Sequence, residues 1–139
     1  MQSPTQSRSL RILSKAKIIS YWIVTGLITF ELIYGALWDF NLLNQGYVFN
    51  VLTHLGYPLY LAPILAVAKI AAAIAINLPR FYLLKEWAYA GVIILFGGAF
   101  LSHLIAGDGA DQFIWSLIFG LIALASYVLR PAGRRLSVS

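Results

Sequence analysis

The chain has 139 residues, room for one domain, and is 60% apolar and 11% charged, against roughly half and a quarter in soluble globular domains. So few charges cannot cover a soluble fold this small, and the net charge of +5 does not imply nucleic acid, because the basic residues flank apolar segments instead of clustering on a soluble face. No cysteine is present, which excludes a dithiol relay, a thiolate metal site and any disulfide.

Residues 1–17 form a basic tail with Arg8, Arg11, Lys15 and Lys17. The apolar run Ile18–Trp38 follows. It is longer than a signal-peptide core of about 7–15 residues and has no clear A-x-A site, so it reads as a retained first span. Further apolar runs cover Pro58–Leu78, Trp87 to about Ile105, and about Phe113 to Leu129. Each is near the ~20 residues that a helix needs to cross ~30 Å of hydrocarbon. Helices are the expected form, since backbone polar groups have no water to bond there. Pro58 suits a first helical turn, Pro79 and Pro131 stop the second and fourth helices, and Pro63 is expected to kink the second.

The connection Asp39–Tyr57 is not featureless. Tyr47, Val48, Val51, Leu52 and Leu55 recur at helical spacing, which predicts a short helix near 47–55 on the outer membrane surface or over the bundle. The expected architecture is therefore all-α. A four-helix transmembrane bundle over 18–130 lies between the basic tail 1–17 and a second basic tail, 131–139.

Orientation follows from the basic residues. Four lie in the first tail, Arg80 and Lys85 in the second connection, and Arg130, Arg134 and Arg135 at the C-terminal end. The other two connections carry only acids, Asp39, Asp108 and Asp111. With four spans, both termini are cytoplasmic, and the expected location is the inner (plasma) membrane, crossed several times. Tyr21, Trp22, Phe81, Tyr82, Trp87 and Tyr127 mark the inner interface. Trp38, Tyr47, Tyr57, Tyr60 and Trp115 mark the outer one.

Two charges fall inside the spans. Glu31 lies outward of the middle of the first helix and Lys69 near the middle of the second. An uncompensated charge there costs about 2.5–3.5 kcal/mol on insertion scales, so both are expected to face protein. Lys69 shares a stripe with Ala62, Ala66 and Ala73, small residues that let helices approach. Glu31 shares a face with Gly35 and Trp38. Either the two charges form a buried pair that sets helix register, or they make a proton-titrating or ligand-binding centre.

The third helix brings Ser102 and His103 to the outer side, where His54 and the carboxyls of Asp39, Asp108 and Asp111 also fall. A metal is not expected, because no H-x-x-x-H or comparable ligand spacing is present. A His–Asp hydrogen bond tying the outer loops together is. Glu86, beside Lys85, reads as an interfacial pair or a helix-dipole partner. The ligand-binding candidates are Glu31, Trp38, Lys69 and His103, with Asp39, His54, Ser102 and Asp108 as an outer rim. Aromatic walls with a few polar groups are the usual form of a small-ligand site. No phosphate loop, nucleophile–base pair or catalytic dyad is present, so no catalytic residue is assigned and an autonomous enzyme is not expected.

Several segments carry a resemblance. His54-Leu55-Gly56-Tyr57-Pro58, Val67-Ala68-Lys69, Leu84-Lys85-Glu86-Trp87-Ala88-Tyr89-Ala90-Gly91, and Ser102-His103 followed by Gly107-Asp108 resemble the DoxX-like membrane proteins. Trp38-Asp39 and Leu129-Arg130-Pro131 also fit, so the resemblance runs from Tyr21 to Pro131. It implies a four-helix bundle with both termini inside. The family takes its name from a membrane subunit linked to thiosulfate:quinone oxidoreduction, with more distant relatives in redox maturation or membrane-protein assembly. Lys69, Glu86, His54 and His103 match its motifs without assigned roles.

The leading expectation is a quinone- or small-ligand-binding component of a membrane redox system, with an isoprenoid quinone as the candidate cofactor. The alternatives are an accessory or assembly protein for another membrane protein, and a proton-coupled small-molecule transporter acting as an oligomer. The expected partners are the lipid bilayer and either another membrane protein or further copies of this chain, and no nucleic acid.

Overall fold

The computed structural model describes residues 3–43 and 45–137; the outermost residues of both expected tails, 1–2 and 138–139, lie outside the described residues. These residues form five α-helices and a short 3-10 turn: α1 Pro4–Asp39, α2 Tyr47–His54, α3 Leu61–Asn77, α4 Tyr82–Ala106, α5 Ala110–Leu129, and the turn Ala132–Arg134. Among the described residues there is no strand. Helices α1, α4 and α5 are long and apolar enough to cross a membrane. Helix α3 is apolar but has 17 residues, about 26 Å at 1.5 Å per residue.

Helix ends follow local chemistry. Ser3 caps α1 by accepting the Gln6 N–H, with Pro4 at the first helical position. The helix then runs through the basic segment without a break, so Arg8 to Lys17 continue the first span as helix. Helix α3 begins at Leu61, later than Pro58 suggested. Pro63 therefore sits in the first turn, where its missing N–H has no intrahelical partner to lose, and the expected kink has no cause. Leu78 and Arg130 are extended (ψ 137° and 131°) before Pro79 and Pro131, which ends α3 and α5. Helix α4 starts at Tyr82, a turn before Trp87, and draws Lys85 and Glu86 into the helix.

The four longer helices pack in a closed order: α1 against α3 and α5, and α4 against α3 and α5. The core is built around Ile28, Leu32, Ala73, Ile76, Tyr89, Val92, Phe96 and Ala123. Small residues make close packing possible; a Cβ on Gly120 would stand 3.5 Å from that of Phe96. The outward faces carry exposed Ile23, Leu27, Phe30, Ile94, Leu101, Ile105, Trp115 and Leu121. An apolar exterior of this extent is far beyond the patches of soluble monomers.

At the end where the termini lie, polar groups are tightly organised. Ser126 is bonded to Thr25 and to Tyr89, both at 2.7 Å, and ties α1, α4 and α5 together. Tyr21, read as an interfacial aromatic, is fully buried beside this cluster. Lys85 is also fully buried and donates to the Ala75 carbonyl at 3.4 Å. Arg134 donates to the carbonyls of Ile76 and Asn77, and Arg135 to those of Val128 and Arg130. These cations therefore cap the C-terminal carbonyls of α3 and α5, where the helix dipole favours positive charge. Glu86 pairs with Arg130 at 2.8 Å instead of with its neighbour Lys85.

Candidate functional site

The opposite end of the bundle, beside α2, is organised by two helix C-terminal turns. Gly56 (φ 79°) and Gly107 (φ 77°) occupy the left-handed conformation that glycine adopts without a Cβ penalty. After α2, Tyr57 N–H returns to the Leu52 carbonyl and Gly56 N–H to that of Thr53. After α4, Asp108 N–H returns to His103 and Gly107 N–H to Leu104. Both are Schellman turns. Each folds a functional side chain back over its own helix end.

The result is a latch between α2 and the end of α4. One Asp108 oxygen meets His54 Nε2 at 2.7 Å and the other meets His103 Nδ1 at 2.6 Å. The side chain of His54 is 56% exposed, while those of Asp108 and His103 are 13% and 11%. The path through these three groups thus runs from the surface inward. The hydrogen bonds from His103 and then His54 hold the Asp108 carboxyl below its ordinary value of 3.8. Ser102 donates to the Gly98 carbonyl and accepts from Tyr57 OH, both at 2.8 Å, so α2 is pinned twice. The expected His–Asp tie is present, in bidentate form. Both histidines spend one nitrogen on the same carboxylate. Among the described residues no cluster of three or more His, Cys, Asp or Glu side chains is arranged to hold a metal ion.

Beneath α2 lies a chamber of about 430 Å³. Val48, Val51, Leu52 and Leu55 roof it, and Leu61, Leu65, Leu95 and Phe96 form its apolar walls. Its polar groups are Asp39, Tyr47, Tyr57, Lys69, Ser102, His103, Gln112 and Ser116. Of the sequence candidates, Lys69, His103, Asp39 and Ser102 therefore line one space, while His54 and Asp108 line a neighbouring cavity of about 360 Å³ that shares His103 and Gln112 with it. Glu31 and Trp38 do not line it. They border a smaller cavity of about 220 Å³ with Tyr34, Gly35 and Val48. Asp39, Val48 and Lys69 line both this cavity and the chamber and so form the partition between them. Trp38 and Asp39 are adjacent, about 100° apart around the helix; Trp38 borders only the smaller cavity, whereas Asp39 reaches both.

The sequence predicts that Glu31 and Lys69 face each other or a shared cavity. They do line one cavity, but the ion partner is another residue: Lys69 Nζ lies 2.6 Å from Asp39 Oδ2, and both side chains are largely buried. Asp39 was read as a rim residue at the end of the apolar run. Because α1 continues through it, Asp39 lies two turns beyond Glu31 on the same stripe, with Gly35 between. A Cβ on Gly35 would stand 3.2 Å from Lys69 Nζ, so the glycine makes room for the ammonium. The outer acids thus divide. Asp39 serves Lys69, Asp108 serves the histidines, and Asp111 sits in the first turn of α5, where the dipole favours a negative charge.

Gln112 and Ser116 complete the chamber, and sequence reasoning did not single them out as ligand groups. Their signal was a four-residue spacing on one face of α5. The DoxX-like family model matches residues 23–126, which include every residue lining both cavities. No curated protein and no solved structure matches the chain.

Proposed function

The chain belongs to the DoxX-like family of small membrane proteins, and on that premise we propose that it binds a small polar-headed lipophile in the chamber under α2. An isoprenoid quinone is the candidate ligand. In this reading all four long helices span the inner membrane, with both termini cytoplasmic and α2 at the outer face. The basic residues at the terminal end support that orientation, and the apolar outward faces suit lipid contact. Helix α3, at about 26 Å, crosses a ~30 Å core with the Pro58–Tyr60 turn at its outer end.

The observation that carries the proposal is the Asp39–Lys69 ion pair set in the chamber wall across from Ser102 and His103. A few hydrogen-bonding groups in an otherwise apolar, ligand-sized cavity fix the orientation of a bound head group. An ammonium and an imidazole both donate to a carbonyl acceptor such as a quinone oxygen. The chain's own groups would position the head and exclude water. Any electron donor, and any partner subunit that houses it, lies elsewhere.

The test is a titration of the detergent-solubilised protein with a soluble short-chain quinone, read by tryptophan fluorescence. Lys69→Met should weaken binding by about tenfold or more, as expected for losing a hydrogen bond from a charged donor. Unchanged affinity would remove the head-group chemistry.

A further inference from the structure

A further cavity, about 490 Å³, runs along the outward side of the α3–α4 seam. Its floor is Leu32, Ala72, Ala75, Ala88 and Val92, and its rims include Ala68, Ala71, Leu84, Trp87 and Ile94. Apart from Lys69 at one end and the indole of Trp87 toward the other, every lining side chain is hydrocarbon or absent. Leu65, Lys69, Ile94 and Leu95 line both this groove and the chamber. These four side chains form the wall common to the two spaces, so the outer end of the groove lies beside the chamber at Lys69. From that junction the groove descends toward the terminal end. Leu84 to Leu95 of α4 covers roughly 16 Å at 1.5 Å per residue, about half of a ~30 Å hydrocarbon core.

We propose that this groove holds the chain of a long-tailed lipophile whose polar head sits in the chamber, so that the ligand enters sideways between α3 and α4. The proposal rests on the ligand-binding reading of the chamber and names the class of ligand it takes: one linear alkyl or polyprenyl chain on a hydrogen-bond-accepting head. The geometry decides the orientation. The chamber holds several hydrogen-bonding groups, whereas beyond Lys69 the groove offers only the single Trp87 N–H, so the head belongs in the chamber and the chain points toward Trp87. The alanines and Gly91 are what leave the groove open. Larger side chains at these positions would bring the seam to ordinary van der Waals contact. Bulk bilayer lipid would fill an apolar seam, but it would show no dependence on what occupies the chamber.

Two quinones with the same head, one carrying a decyl chain and one a methyl group, test this with affinities expressed per detergent mole fraction. Gly91→Leu places a side chain in the groove, and no atom lies within 4 Å of its new Cβ; an unfolding midpoint matching that of the native chain checks that the variant folds. Gly97→Leu, equally free of neighbours and outside both cavities, is the control. In the native chain the decyl compound should bind about tenfold more tightly than the methyl compound. Gly91→Leu should abolish that preference and leave methyl-compound affinity unchanged, while Gly97→Leu should alter neither. A decyl preference that survives Gly91→Leu would overturn the groove while the chamber reading stands. Equal native affinities, or loss of both ligands in Gly91→Leu alone, would also overturn it. If neither compound binds the native chain, the chamber reading fails and the groove proposal fails with it.

Discussion

Lys69 and Asp39 are joined across α3 and α1 by a 2.6 Å contact, at the wall shared by the two cavities beside α2. Removing one member of such a buried pair costs about 3–5 kcal/mol, because it strands the other charge. Lys69→Met and Asp39→Asn should therefore each lower the thermal unfolding midpoint in detergent. The double variant should lose much less than the sum of the two. Glu31→Gln should couple to Lys69→Met more weakly than Asp39→Asn does. Additivity of the Lys69 and Asp39 substitutions within about 0.5 kcal/mol would show that the pair does not act as one unit.

Two glycines of α1 make a matched comparison. Gly26 has no atom within 4 Å of a would-be Cβ, whereas Gly35 has Lys69 Nζ at 3.2 Å. Gly26→Ala should be neutral or stabilising by up to about 1 kcal/mol, the helix-propensity difference. Gly35→Ala should forfeit that gain and weaken quinone binding, since the ammonium must shift from Asp39. Equal stabilisation by both, with binding intact, would mean that the ammonium has free room to move.

Acid should loosen the latch over the chamber. Asp108 is held below its ordinary value of 3.8 by its bonds to His103 and His54. Its contribution to stability is therefore complete above that pH, and is lost as the pH falls through the lower folded-state value. Unfolding midpoints measured between pH 5 and pH 3 should fall less steeply for Asp108→Asn than for the native chain. Parallel curves would assign the acid sensitivity to other carboxyls.

Orientation is accessible to reporter fusions. Fusions after Gln45 and Ala110 should report an extracytoplasmic position, and one after Arg80 a cytoplasmic position. A cytoplasmic signal at Ala110 would be incompatible with four spans.

Much of this molecule is legible along the chain. Helical content follows from apolar runs and proline stops. The 3.6-residue period places Lys69 on the alanine stripe that turns inward, and places a short helix at Tyr47–His54. The strings around His54, Glu86 and His103 carry the family resemblance. Three relationships needed the assembled fold. Lys69 bonds Asp39 instead of Glu31, Lys85 is buried on the end of α3, and Ser126 joins Thr25 and Tyr89. Periodicity assigns a residue to a face and a depth on its own helix, but not the rotation of that helix against its neighbour or the distance between them. A partner across 30 residues of chain, as Asp39 is for Lys69, is chosen by those two quantities. They are set by how alanines and glycines on α1 and α3 let the backbones approach, which is a property of the packed pair and not of either sequence segment.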